Sequence, residues 1–193
     1  MIGVLGLVDK KPLVPQKIKE SDYLVILGDT KDEMGGSEYF EYIHKFIGGR
    51  CPSVDFAESK KNMKAVLDSI KNQIVKSVHD CSKGGLAVAV SELCMTNQIG
   101  CNISLEKIPG EKLDVDRILF SESHSRYLMT IEKKNLKKLE KLLKKNKVSF
   151  QLVGQFEGDK IQFTDREEPI IDLRVDKAQK TWLNSLRDLV LHG

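Results

Sequence analysis

No apolar run in this chain is long enough to span a bilayer, which takes about 20 residues as a helix; no membrane partner is expected. The start carries no charged region followed by a cleavable apolar stretch, so no export signal is read there and the expected compartment is the cytoplasm. Aromatic residues are scarce, at 6% of the 193 residues, and they are not interleaved with basic ones as stacking on bases would require. A net charge of +3 is too small to mark a polyanion binder, so no nucleic-acid partner is expected either. The four cysteines, Cys51, Cys81, Cys94 and Cys101, form no CxxC pair and share no metal-like spacing with His; reduced thiols are expected. Low-complexity segments and internal repeats are also missing.

What remains is an ordinary globular composition. With 40% hydrophobic and 31% charged residues, the length suits one domain with a sound core and is too short for two full ones. Short segments rich in β-branched residues and bounded by Gly, Pro or Asp read as strands. They fall at Ile2–Val8, Tyr23–Leu27, Ile74–Val78, Asn102–Leu105, Arg126–Ile131, Val148–Val153, Lys160–Phe163 and Ile170–Leu173. Asp55 reads as an N-cap with Glu58 three residues on, followed by Met63, Val66, Leu67, Ile70 and Ile74 at helical spacing. Leu86, Ala89, Val90, Leu93 and Cys94 repeat that spacing, and Val88 makes this second helix apolar nearly all round, so it should be buried. A leucine stripe (Leu136, Leu139, Leu142, Leu143) explains a Lys-rich helix whose lysines decorate its wet face. A last amphipathic helix carries Trp182, Leu183, Leu186, Leu189 and Val190 after Asp176. The order is not a clean alternation of strand and helix, and Val148–Leu173 offers three strands with short turns, hence antiparallel pairing. The expected fold class is α+β: a sandwich with a mixed, largely antiparallel sheet flanked by helices.

Three segments carry chemistry. In His79-Asp80-Cys81-Ser82-Lys83-Gly84-Gly85-Leu86 a strand ends in polar residues, Ser82 can cap the next helix, and two glycines let a phosphate approach the helix N–H groups. His79 and Asp80 are neighbours on a strand and point to opposite faces, so this Asp cannot orient this His; a hydrogen-bonded or ligand-lining role for His79 is expected over a catalytic one. Gly35-Gly36-Ser37 repeats the layout, with Ser37 capping the helix through Tyr39, Tyr42 and Ile43. The nearby Asp29, Asp32 and Glu33 are either a solvated acidic loop or Mg²⁺ ligands beside a phosphate. Glu122-Ser123-His124-Ser125-Arg126 packs polar groups just before a strand; Arg126 either grips phosphate bidentately or pairs with Glu122 to hold the loop. The proposition common to all three is that these loops converge on an oxyanion. The candidate phosphate or nucleotide contacts are therefore Gly35, Gly36, Ser37, His79, Asp80, Ser82, Gly84 and Gly85, with Glu122, Ser123, Ser125 and Arg126 as substrate or phosphate contacts. No catalytic residue and no metal ligand set is assigned.

In their order, Gly28 to Tyr39, Pro52-Ser53-Val54-Asp55, His79 to Ala89 and Leu119 to Arg126 resemble one family closely. The chain is similar to the carboxy-terminal part of the large, synthetase component of phosphoribosylformylglycinamidine synthase. That family sits in a superfamily with aminoimidazole ribonucleotide synthetase, selenophosphate synthetase, thiamine-monophosphate kinase and a hydrogenase maturation factor. The resemblance implies residues 1–20 as a lead-in strand from a preceding domain and residues 21–193 as a single carboxy-terminal-type domain. It also implies a role in the ATP- and Mg²⁺-dependent amidation of formylglycinamide ribonucleotide, within purine biosynthesis. The implied partners are the remaining domains of the synthetase chain, a glutaminase subunit that supplies ammonia, and a small accessory subunit. The family's catalytic His and Mg²⁺-binding acids belong to other domains, which implies a part inactive alone, serving as scaffold and holding an auxiliary ADP site. Where the family has a Glu-Ser-Gln substrate contact, this chain has Glu122, Ser123 and His124. The alternatives are the matching domain of a sister enzyme, of selenophosphate synthetase or thiamine-monophosphate kinase type, or a non-catalytic nucleotide-binding module.

Overall fold

The computed structural model describes residue 3 and residues 14–192. The expected strand Ile2–Val8 and most of the lead-in therefore lie outside the described residues. Among the described residues seven strands, β1 (Tyr23–Leu27), β2 (Ser77–Asp80), β3 (Cys101–Ser104), β4 (Tyr127–Ile131), β5 (Phe150–Phe156), β6 (Lys160–Asp165) and β7 (Glu168–Arg174), form one sheet. Its order is β2-β4-β1-β5-β3-β6-β7. Every pairing is antiparallel except β3 with β6. Helices α1 (Glu38–Tyr42), α2 (Phe56–Lys71), α3 (Gly85–Asn97), α4 (Val115–Phe120), α5 (Leu136–Asn146) and α6 (Val175–His192) complete the α+β fold.

Alternation along the central strands sends side chains to both sheet faces. Leu24, Ile26, Leu128, Val153 and Phe156 pack with the buried residues of α3, such as Leu86 and Val90. Val25, Leu27, Met129 and Ile131 pack on the other face with Ala65 and Val66 of α2 and Leu139 and Leu143 of α5. Because helices cover β1 on both sides, Leu24 to Leu27 are all buried, which explains a continuous apolar run in place of an alternating one.

Four expectations need correction. The three strands of Val148–Leu173 do not form a simple meander, because β3 inserts between β5 and β6. Gly100, entering β3, lets the turn after β5 arch across it: Gly100 N donates to Gly158 O at 2.8 Å and Glu157 N to Gly100 O at 3.0 Å, where a side chain would strike the Lys160 and Glu157 backbone. In α2 the buried face is Asn62, Ala65, Val66 and Ser69, while Met63 and Leu67 are exposed. Small and internally bonded groups face inward there, since Asn62 Nδ2 donates to Ser125 O at 3.1 Å and Ser69 Oγ to Ala65 O at 2.8 Å. The second strand begins at Ser77, not Ile74; Ile74 and Val75 are buried in the connection from α2. The last helix starts at Val175, directly off β7, and the six-residue α4 was too short to show a period.

The described residues just ahead of β1 are fastened to the rest of the fold. Gln16 N donates to Lys76 O at 2.7 Å, Ile18 is buried, and Lys76 Nζ lies 2.5 Å from Asp22 Oδ2 in a buried ion pair. Asp22 Oδ2 also accepts from Lys19 N at 2.7 Å.

Candidate functional site

Topology brings the three segments together. Because β4 runs antiparallel to both β1 and β2, the exits of β1 and β2 and the entry to β4 lie at one end of the sheet. The loops then bond to one another: Lys31 N donates to Ser123 Oγ at 3.0 Å, Glu122 N to Glu33 O at 3.1 Å and Cys81 N to Arg126 O at 3.0 Å.

At their meeting point stands an anion of the chain's own. Glu122 Oε1 accepts from Glu38 N at 3.0 Å and from Gly84 N at 2.9 Å. Glu38 is the first residue of α1 and Gly84 the N-cap of α3, so one carboxylate oxygen satisfies donors at two helix starts, where partial positive charge favours an anion. Ser37 caps α1 as expected, its Oγ accepting from Phe40 N at 3.2 Å. Ser82 does not cap α3. The residue before the first helical position is Gly84, at φ +76°, with no side chain to cap, and Glu122 supplies the missing acceptor from another loop. Gly85, at φ +64°, is required by internal packing: a Cβ there would meet Ser121 O at 2.6 Å and Leu119 O at 2.8 Å. Gly35 lies against the Arg50 backbone, and Gly36 N donates to Gly48 O at 2.9 Å.

Arg126 is 1% exposed and does not pair with Glu122. Its Nε donates to Ser123 O at 3.2 Å and Nη1 to Thr30 Oγ1 at 3.0 Å, and Nη2 donates to Ser121 O. The guanidinium thus fastens the β4 entry loop to the β1 exit loop, while burial pulls it below its ordinary value. Ser123 is buried in the same knot, and Ser125 Oγ donates to Ser59 Oγ at 2.5 Å.

A cleft of about 510 Å³ opens beside this knot, lined by Asp80, Ser82, Lys83, Glu122, Ser125 and Arg126, with Cys51 and Pro52 also at its wall. Lys83 Nζ is 2.5 Å from Glu38 Oε1. Burial pushes the Cys81 thiol in this wall up to about 11, which makes it a poor nucleophile at neutral pH.

His79 leaves the group. Its Nε2 lies 3.1 Å from Glu92 Oε2 and its Nδ1 2.6 Å from Asp80 O, and it lines a second cleft with Glu92, Trp182 and Leu183. Sequence reasoning missed Glu92. The available signal was a single charged residue inside the otherwise uncharged α3.

Two of the three acids beside the glycine loop are committed elsewhere. Asp32 pairs with Arg117, and Glu33 Oε1 accepts from Ser53 N at 2.8 Å. Glu33 Oε2 is buried without a hydrogen-bond partner among the described residues, yet no group of three or more His, Cys, Asp or Glu among those residues is placed to hold a metal. The residues here do not fit a Mg²⁺ site. None of the described helices is long and apolar enough to cross a membrane.

Comparison with known proteins places residues 19–166 under the model for "AIR synthase related protein, C-terminal domain". A relative from Methanococcus aeolicus, phosphoribosylformylglycinamidine synthase subunit PurL, is 32% identical over 190 residues, covering 98% of this chain and 25% of the relative. The protein of that name from Methanocaldococcus jannaschii is 36% identical over 185 residues, covering 94% and 25%. The chain therefore spans about a quarter of the length of these curated relatives. Among solved structures, Thermotoga maritima PurL complexed with FGAR aligns at a TM-score of 0.77 and 19% identity, over 85% of this chain and 29% of that one, a likeness of fold. The Thermotoga protein has also been solved with ATP, with ADP and as PurLQS.

Proposed function

The chain belongs to the family of AIR synthase related proteins, C-terminal domain, and on that premise we propose that it is the matching domain of a phosphoribosylformylglycinamidine synthase. The observation that carries this reading is identity of about a third, along nearly the whole chain, to relatives of that name. In the proposed reaction ATP phosphorylates the glycinamide carbonyl oxygen of formylglycinamide ribonucleotide, ammonia attacks the carbon that bears it, and phosphate leaves with that oxygen to give the amidine. The domain supplies no catalytic group of its own, and Mg²⁺ is held by other parts of the enzyme. Residues 1–20 lead in from a neighbouring domain and residues 21–193 form the domain proper. The partners are the rest of the synthetase chain, a glutaminase subunit and a small accessory subunit, in the cytoplasm; the Thermotoga PurLQS assembly supports such a complex.

Within this role the first cleft is the candidate contact for an auxiliary ADP or for substrate phosphate, through Ser82 and Ser125, which line it with Arg126. A second reading, scaffold only, is favoured by Glu122, which already occupies the donors at both helix starts. Calorimetry with ADP, with and without Mg²⁺, separates the two. Binding tighter than about 1 mM, roughly −4 kcal/mol, supports the nucleotide contact, and weaker binding leaves the scaffold. The enzymatic reading is tested with a hybrid in which this chain replaces the matching quarter of the M. jannaschii relative. Ammonia-dependent amidation by the hybrid, and none by the isolated chain, is the expected result; a folded but inactive hybrid, or turnover by the chain alone, overturns it.

A further inference from the structure

The small net charge of the chain conceals a segregation. Helix α2 carries four lysines and two acids, and α5 five lysines and one acid. The two helices thus hold a formal +6, which leaves −3 on the rest of a chain whose total is +3. They pack on one face of the sheet, joined through Ala65, Val66, Leu139 and Leu143, and their charged flanks meet over a groove of about 400 Å³. Lys64 of α2 and Lys138, Lys141 and Lys145 of α5 line it against one carboxylate, Asp68. That carboxylate is already engaged, since Lys64 Nζ lies 2.6 Å from Asp68 Oδ2. Lys138 Nζ donates to a neutral acceptor, Asn72 O, at 3.3 Å. Lys141 and Lys145 have no ion-pair partner among the described residues. These two stand one helical turn apart, where like charges repel and destabilise a helix. A solvated lysine face spreads its charges over a convex surface, whereas here two helices bring theirs to one hollow.

We propose that the groove between α2 and α5 binds a short chain of inorganic polyphosphate. Lys138 to Lys145 extend over about 10 Å of helix axis, so their ammonium groups suit an anion that is itself extended more than a single phosphate. A lysine is a compact point charge whose three donors meet phosphate oxygens from several directions, whereas an arginine favours the paired oxygens of one group. No aromatic side chain is among the described residues that line the groove, so nothing there stacks on a nucleobase and recognition falls on the phosphoryl groups. The groove shares no lining residue with the first cleft, and the proposal stands apart from the enzymatic reading.

Calorimetric titration of the full chain with sodium tripolyphosphate at low salt gives the test. Saturable binding is expected, weakening as salt is added because exposed charges are screened. Lys141→Gln with Lys145→Gln should weaken it at least about tenfold, while Lys141→Arg with Lys145→Arg keeps it. Glutamine and arginine suit a helix about as well as lysine, so both variants retain α5, which circular dichroism checks. Lys177→Gln with Lys180→Gln, on α6, removes the same charge elsewhere and should leave the affinity within about twofold. Tripolyphosphate should bind at least as tightly as ATP, and AMP at least about tenfold more weakly than either. Absence of binding at about 1 mM tripolyphosphate, or equal losses from the two glutamine pairs, overturns the proposal. ATP binding more than about threefold tighter than tripolyphosphate would make a nucleotide the occupant and overturns it too. So does a short RNA duplex that binds more tightly than tripolyphosphate through the same lysines, which would make a nucleic-acid backbone the occupant. Binding that survives Lys141→Gln with Lys145→Gln but is lost in Ser82→Glu would put the phosphates in the first cleft and likewise defeats the proposal.

Discussion

Replacing Glu122 tests whether an internal carboxylate holds the candidate site together. Its Oε1 takes two backbone N–H groups, from Glu38 and Gly84. Hydrogen bonds to a charged acceptor contribute about 1.5–3 kcal/mol each when buried, and a carboxylate at a helix start adds about 0.3–1 kcal/mol. Glu122 is half-buried, so each bond is taken below that range, at about 1 kcal/mol, and the helix-start contribution at its lower end. Glu122→Ala should then cost about 2–3 kcal/mol, and Glu122→Gln, which keeps an acceptor oxygen but not the charge, about 1 kcal/mol. In a domain of this size each kcal/mol moves Tm by about 2–4 °C. Differential scanning calorimetry should therefore place the alanine variant about 4–12 °C below the parent, with glutamine between them. The alanine variant also leaves two helix-start donors facing a vacated anion position. Formate, compared with chloride at equal ionic strength, should raise the Tm of Glu122→Ala more than that of the parent. Melting of parent and alanine variant within about 1 °C, or equal shifts with formate, would refute the reasoning.

Four further outcomes follow from the packing. Lys76→Met leaves Asp22 as an uncompensated buried charge and should cost about 3–5 kcal/mol in urea unfolding, much of it recovered in the double variant with Asp22→Leu. Gly85→Ala forces a Cβ against Ser121 O and Leu119 O at a positive φ, and its loss of stability should exceed about 2 kcal/mol by the same measurement. Of the four cysteines only Cys51 is exposed, so iodoacetamide at neutral pH should label Cys51 alone, with mass spectrometry finding Cys81 modified only after unfolding. The Asp55 carboxyl is held below its ordinary value of 3.8, chiefly by the Glu58 N–H. A depressed carboxylate stabilises above its unfolded value and loses that contribution as pH falls through the folded one. Asp55→Ala should accordingly lower Tm at pH 7, with the gap from the parent closing below about pH 3.8.

Local signals in the sequence located most elements, because the apolar runs that define β1, α3 and α5 are the same ones that pack against both faces of the sheet. Asp55 and Ser37 were legible as caps since the cap acts on residues three positions away. What stayed hidden was non-local. The insertion of β3 between β5 and β6 depends on the contact of Gly100 with residues 157–160, which no window of sequence contains. Likewise the cap of α3 comes from Glu122, 38 residues away, so the nearby hydroxyl of Ser82 drew the assignment. The place of His79 is hidden for the same reason: its carboxylate partner, Glu92, lies on the following helix, outside the strand-to-helix motif that groups His79 with the glycine turn.

The three loops converge, and the anion that their helix-start donors hold is the chain's own Glu122 carboxylate. A glycine turn, a helix start and a hydroxyl-rich loop are equally suited to a phosphate and to a carboxylate, so the motif by itself does not say whether the anion is a ligand or a side chain. Tethering decides in favour of Glu122, since a carboxylate fixed on the neighbouring loop is present at an effective concentration that dilute phosphate does not match. The charged groups lining the cleft also balance before any ligand arrives: the Asp80 and Glu122 carboxylates face the Lys83 ammonium and the Arg126 guanidinium. Lys83 is already paired with Glu38, and all three guanidinium nitrogens of Arg126 already donate within the knot. Among the described residues of the lining, a phosphate entering here meets two carboxylates and no uncommitted Lys or Arg, with the His124 imidazole as the remaining basic group, so most of its countercharge has to arrive with the ligand. On this argument the glycine-rich turns position the cleft, and the carboxylate of Glu122 takes the place that a bound anion would have held at the helix starts.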